Sequence, residues 1–294
     1  MGKYYSFKSF AKLNLYLEVL NKRKDNYHNV FILFERISLY DEIFFRKRSD
    51  EVINIKSNLK ELSFSPSNLT YQTVEILRKN LKIKKGIDIY IKKSIPIASG
   101  LGGGSSDSAS ILLGLNRLWE LKLSLNELLI FAKKLGADVP FFLYNCSFAL
   151  GRARGDRIKP LEIKNRFWHL LVLPSIKVLT KDVYLNLDKL ENRFPKLTKP
   201  KPDVKILIKG LKEKNIGLIE KNIYNQLETV TFRLYPELNK IKTFLKEKTQ
   251  KPFFMSGSGP TMFFIFSSRK EARCLKEKLS KHDGFFKVIL AHTV

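Results

Sequence analysis

One stretch of the chain reads Pro96-Ile97-Ala98-Ser99-Gly100-Leu101-Gly102-Gly103-Gly104-Ser105-Ser106-Asp107. Successive glycines let the main chain approach an anion closely, and the Ser105 and Ser106 hydroxyls add donors. The strictly alternating Ile87-Asp88-Ile89-Tyr90-Ile91 before it predicts a strand. Ile111, Leu112, Leu115, Leu118 and Trp119 after it recur at helical spacing. A glycine turn that leaves a strand and opens a helix presents unpaired N–H groups and the positive end of the helix dipole, which suits phosphate. No Lys-Ser or Lys-Thr follows the last glycine, so this is not the Walker pattern, and the spacing is not the dinucleotide fingerprint. A glycine turn alone can be a mere connection. The flanking strand and helix favour the phosphate reading.

Other residues carry two readings each. Asp138, in Gly136-Ala137-Asp138-Val139-Pro140-Phe141-Phe142, is either an ordinary helix start or a carboxylate available for proton transfer. Lys12 and Asn14 share one face of an apolar strand, and such a polar face is usually just solvated. Tyr27-His28 follows a polar turn and would ordinarily be surface. Met255-Ser256-Gly257-Ser258-Gly259-Pro260 precedes a strand and could be only a tight turn.

These residues need elements to hold them. Apolar periodicity predicts strands over 13–20, 30–39, 43–45 and 52–55, and a helix over 68–81 that Ser67 or Asn68 can cap. A further helix spans about 124–135. After a second glycine- and charge-bearing stretch at 151–159 come a strand over 169–173 and helices over 204–211 and 237–247. A strand over 261–266, a helix over 270–281 and a last strand over 286–290 complete the pattern. The prolines in 194–202 exclude regular structure there. A boundary near 165 divides the chain into two α+β units, 1–165 and 166–294.

The bulk composition narrows the class. The chain has 294 residues, 44% of them hydrophobic with 22 Phe, which is ample core material and excludes wholesale disorder. No run reaches the roughly 20 apolar residues of a membrane span. Lys3, Lys8 and Lys12 interrupt any signal core, so a cytoplasmic location is expected. Cys146 and Cys274 give no disulfide framework. The net charge of +26 attracts phosphorylated or nucleic-acid partners in principle. The basic residues are spread along the chain, so a lysine-rich solvated surface is the simpler account and nucleic acid is not the expected partner.

Ala11-Lys12-Leu13-Asn14, the loop at 100–107 and Gly257-Ser258-Gly259 together resemble the three motifs of the GHMP kinases, the superfamily of galactokinase, homoserine kinase, mevalonate kinase and phosphomevalonate kinase. Asp25-Asn26-Tyr27-His28, Asn68-Leu69 and Leu135-Gly136-Ala137-Asp138-Val139-Pro140-Phe141-Phe142 are similar to the branch whose substrate is a cytidine diphosphate-linked methylerythritol. The resemblance runs in order over nearly the whole chain. It implies a two-domain α+β fold with the active site in the inter-domain cleft, and transfer of phosphate from ATP to the 2-hydroxyl of that alcohol in non-mevalonate isoprenoid synthesis. It also implies roles. Lys12 and Asp138 would be the catalytic pair, with Asp138 the base. Pro96 to Ser106 would cradle the ATP phosphates with Mg²⁺, and Asn68 and Lys93 would lie by the ATP nucleoside. Tyr27 and Tyr184 would stack on the cytosine, His28 would hydrogen-bond it, and Asn14 would contact the substrate near its reacting end. Ser106 and Asp107 are only candidates for the metal. Asn26 stands where the family commonly has Gly. Two alternatives stay open: a GHMP kinase of homoserine or mevalonate type, which would not need Tyr27-His28, and a nucleic-acid-binding protein on this fold, which would not need Lys12 with Asp138. Monomer and homodimer are both compatible with the sequence.

Overall fold

The computed structural model describes residues 4–59, 68–193, 201–281 and 284–294. Two long antiparallel strands form its spine, β1 (Tyr5–Lys22) and β2 (His28–Lys47). The stretches at 30–39 and 43–45 are thus one strand. Its polar middle is tolerated because Glu35 and Arg36 are both buried and both find partners. Around this pair the chain adds β3 (Ile53–Ser57), α1 (Leu69–Leu81), β4 (Ile87–Lys92), α2 (Gly103–Leu118) and α3 (Leu125–Leu135). Then come α4 (Val139–Leu143), β5 (Phe148–Arg152) and β6 (Arg157–Leu161). Asn68 caps α1 by accepting from the Thr70 N–H at 2.8 Å, and Ser67 lies outside the described residues. Ser124 and Glu127 close a reciprocal capping box on α3.

The second half supplies β7 (Trp168–Pro174), α5 (Thr180–Arg193), α6 (Val204–Glu213), α7 (Ile216–Asn222), β8 (Tyr224–Asn225) and α8 (Leu227–Leu234). It ends with α9 (Glu237–Thr249), β9 (Phe254–Met255), β10 (Met262–Phe266), α10 (Arg269–Leu279) and β11 (Phe286–His292). The seven-stranded first sheet follows β3-β4-β2-β1-β8, with β5 on β2 and β6 on β5. The four-stranded second sheet runs β11-β7-β10-β9. β8 from the second half joins the first sheet, parallel to β1. Of the expected irregular segment at 194–202, residues 194–200 lie outside the described residues.

β1 is buried on both faces where it matters. Ala11, Leu13 and Leu15 pack into a core with Phe167, Leu171 and Phe263 of the second half. Lys12 and Asn14 therefore face the other way, toward α2, and they too are buried rather than solvated. Register shifts at Phe10/Ala11 and Asn14/Tyr16 bracket them, and bulges of this kind re-aim side chains near sites. The two halves also meet in a buried polar knot. His169 lies 2.8 Å from Glu35, which accepts from the Thr293 hydroxyl at 2.6 Å.

Candidate active site

The glycine loop is held by its neighbours on two sides. The Lys12 N–H donates to the Leu101 carbonyl at 3.0 Å, and the Ser256 hydroxyl donates to the Gly100 carbonyl at 3.1 Å. Gly100 sits at φ +77, and a Cβ there would lie 2.3 Å from the Ser256 carbonyl oxygen. Gly102 is the N-cap of α2 at φ +71, with no side chain satisfying the first turn. The leading N–H groups of that helix are thus left for an outside acceptor. Gly104 is the open position of the turn, where a Cβ would meet only Leu69 at 4.0 Å. At Gly103 the same atom would point inward, 2.9 Å from Ile95 and 3.4 Å from Lys93 Nζ.

Beside the loop stands the charged pair. Lys12 Nζ is 3.6 Å from Asp138 Oδ2 and also donates to the Asn14 side-chain oxygen. Asp138 occupies the N-cap position of α4 yet makes no capping bond. Its carboxylate is free for other work. Burial pushes the Lys12 ammonium below its ordinary 10.5, and the Asp138 charge pulls back against that shift. A turn from the far end of the chain walls the pair: a Cβ on Gly257 would fall 3.1 Å from Asn14 Oδ1 and 3.2 Å from Lys12 Nζ.

The other end of the cleft is aromatic. Asn26 adopts φ +63, the left-handed conformation that Asn tolerates, so the turn keeps the shape a glycine would give it. It presents Tyr27, 53% exposed, with the Arg154 guanidinium over its ring at 5.1 Å. His28 stacks on Tyr184 with ring centroids 5.3 Å apart, and its Nε2 is 2.6 Å from Asp188 Oδ1. The second Asp188 oxygen accepts from Lys22 at 2.7 Å. Burial, with the Asp138 charge a smaller contribution, raises the Tyr184 phenol and keeps it protonated.

One cavity of about 1200 Å³ connects these parts. Lys12, Asn14, Asn68, Lys93, Tyr27, His28, Asp138 and Tyr184 line it, as do Pro96, Ile97, Ala98, Ser99, Gly100, Gly102, Gly103, Gly104 and Ser105. Leu101 and Ser106 do not: Leu101 is buried in the core, and the Ser106 hydroxyl accepts from Ser9 at 2.8 Å. Tyr184 stacks on His28. The sequence missed Asp41, Asp188 and Arg154. Their roles come from partners remote in the chain, and no local pattern marks them.

The family described as GHMP kinases N terminal domain matches residues 68–146, and that described as GHMP kinases C terminal matches residues 207–283. Fold and loop together define a two-domain α+β GHMP kinase. A 4-diphosphocytidyl-2-C-methyl-D-erythritol kinase of Alkaliphilus oremlandii is 42% identical over 93% of this chain and 91% of its own. One of Alkaliphilus metalliredigens is 38% identical over 95% and 93%. A crystal structure of a 4-(cytidine 5'-diphospho)-2C-methyl-D-erythritol kinase superposes with a TM-score of 0.78 at 29% identity, over 98% of each chain. The chain belongs to the family of the 4-diphosphocytidyl-2-C-methyl-D-erythritol kinases. No helix among the described residues is long and apolar enough to cross a membrane.

Proposed function

We propose that the chain transfers the γ-phosphoryl group of ATP to the 2-hydroxyl of 4-diphosphocytidyl-2-C-methyl-D-erythritol, in the cytoplasm. The observation that carries the chemistry is Asp138, uncommitted as a cap and paired with buried Lys12 beside an uncapped helix start. In this reading Asp138 accepts the hydroxyl proton as that oxygen attacks the γ-phosphorus and the bond to the ADP oxygen breaks. Lys12, paired with Asp138, offsets charge at the attacking oxygen. The first N–H groups of α2 hold the phosphate oxygens, which costs no reorganisation because the loop is already set.

Asn68 and the start of the loop would lie by the nucleoside. No group of three His, Cys, Asp or Glu residues among the described ones is arranged for a metal. Mg²⁺ would arrive on ATP, with phosphate and water as most of its ligands. The ion would neutralise phosphate charge.

Tyr27 and Tyr184 would flank the cytosine, with His28, oriented by Asp188, hydrogen-bonding its edge. A boundary near 165 would separate the two domains that form the cleft, although β8 crosses it. The homoserine- or mevalonate-type alternative leaves the Tyr27, His28 and Tyr184 cluster without a task. An ADP-release assay across a panel of alcohols tests the reading. Turnover is expected only with the cytidyl substrate, and turnover of homoserine or mevalonate in its place would overturn the substrate assignment.

A further inference from the structure

Beneath the phosphate loop lies a buried ionic bridge that the reaction scheme leaves without a role. Asp41 on β2, Lys93 just after β4 and Asp107 on α2 are all at least nine-tenths buried. Lys93 Nζ donates to Asp41 Oδ2 and, at 2.7 Å, to Asp107 Oδ2. The other Asp41 oxygen accepts the N–H groups of Ser94 at 2.5 Å and Ile95 at 2.8 Å, where the chain enters the loop. Asn58 fixes the Lys93 backbone as well, accepting its N–H at 2.7 Å and donating to its carbonyl at 3.2 Å. Asp41 thus grips the loop's entrance, and Lys93 ties that grip to the helix at its exit.

The electrostatics pull in two directions: burial raises the Asp107 carboxyl to about 7 despite the neighbouring ammonium, while Lys93 stays charged. Burial alone would lower the Lys93 ammonium, but the Asp107 and Asp41 carboxylates outweigh it and hold Lys93 above its ordinary value. Two of its three protons are committed to carboxylates, and the side chain has 4% of its surface exposed. Such an ammonium is poorly placed to reach across a nucleoside.

We propose that Asp41, Lys93 and Asp107 form a positioning bridge that fixes the spacing between the two ends of the phosphate loop, so that Lys93 sets ATP affinity through the loop and not by touching the nucleoside. This inference rests on the reading of the loop as an ATP phosphate cradle. Removing Lys93 leaves the Asp41 and Asp107 carboxylates buried without their shared cation, whereas removing Asp107 leaves Lys93 paired with Asp41 but untied from α2. The effects of Lys93 and Asp107 should therefore be non-additive.

The test is ATP calorimetry on Lys93→Met, Asp107→Leu, the double variant and the isosteric Asp107→Asn, alongside KM for both substrates. Each single variant should weaken ATP by roughly tenfold or more and leave the KM of the cytidyl alcohol unchanged. The double variant should be no worse than Lys93→Met, because deleting Asp107 then removes one of two carboxylates that have lost their cation. Asp107→Asn, which keeps an acceptor for Lys93, should rescue most of the affinity lost in Asp107→Leu. It also serves if the apolar variants fail to fold: hydrogen exchange across residues 95–106 should then rise in Asp107→Asn relative to wild type. The proposal is overturned if Lys93→Met alters the preference for ATP over GTP while Asp107→Leu binds ATP normally, because Lys93 would then read the nucleoside directly. Additive losses, or unchanged exchange in Asp107→Asn, would overturn it as well. Wild-type protein that fails to bind ATP at all would instead sink the cradle reading on which this rests.

Discussion

The two ends of the cleft are built on opposite principles. At the end proposed for phosphate the backbone itself would be the ligand. It is pinned by Gly100 and Gly103, which have no room for a Cβ, by hydrogen bonds from β1 and the Ser256 turn, and by a buried ionic bridge. At the end proposed for the base the ligands would be side chains, presented by an exposed turn and by a helix far away in sequence. Tyr27 is half exposed, and His28 is aligned by Asp188, whose second oxygen is shared with a half-exposed lysine. Phosphate looks the same on every nucleotide, so a rigid cradle costs nothing in versatility. A base must be distinguished from other bases, and hydrogen-bonding side chains are what discriminate.

The contrast can be broken in order of size. Asp138→Asn stands where the two ends meet and should cut kcat by on the order of 10² or more with both KM values nearly unchanged. Because Asp138 makes no capping bond, the variant should stay folded, with only the loss of melting temperature that follows from leaving buried Lys12 without its carboxylate. A loss of turnover explained by unfolding would return Asp138 to a structural role.

Gly100→Ala attacks the rigid end, since the added methyl meets the Ser256 carbonyl at a positive φ. It should cost about 1–3 kcal/mol of stability and weaken ATP together. Gly104→Ala, in open space, should keep its melting temperature. Equal behaviour of the two in thermal melts would mean that the loop is not pinned as drawn.

Tyr27→Ala and Tyr184→Ala probe the other end, each weakening the cytidyl substrate by roughly 1–3 kcal/mol while ATP affinity holds. If Tyr27→Ala weakens ATP instead, the two pockets are assigned backwards.

The smallest effect is a pH dependence that should appear in kcat. The folded pKa of Lys12 is depressed, so its ammonium is lost as pH rises through a value below 10.5. The alkaline limb of the kcat profile should therefore begin below that of an ordinary lysine, and Lys12→Arg should push it upward. A flat profile to pH 10.5 would remove Lys12 from the charge-bearing role.

What the sequence made legible follows the same division. The phosphate loop is contiguous, so strand, glycines and helix could be read from one window, as could the cap at Asn68. All the successive glycines, Gly103 among them, read as places where the main chain can approach an anion. The structure turns Gly103 inward, against Ile95 and Lys93. α5 went unread because Lys181, Asp182, Asp188 and Lys189 dilute its periodicity and, among its side chains with described burial, only Val183 and Leu187 are buried. Asp41 looked like any charged residue in a strand, because its partners at 93, 94, 95 and beyond are brought to it only by the sheet. Lys12 and Asn14 were ambiguous for a related reason: a polar strand face says nothing about what will cover it.

The glycine turn against Lys12 has a consequence for how this kinase comes into being. Ser256, whose hydroxyl accepts from the Asn14 N–H at 3.3 Å, is 242 residues downstream of it. A ribosome will have released Lys12, the whole phosphate loop and Asp138 well before Gly257 emerges from the exit tunnel. Until then the nascent chain carries the parts of a phosphotransferase with one wall of the pocket missing. Catalytic competence arrives late in translation, and no inhibitor is needed to restrain the unfinished polypeptide in the interval.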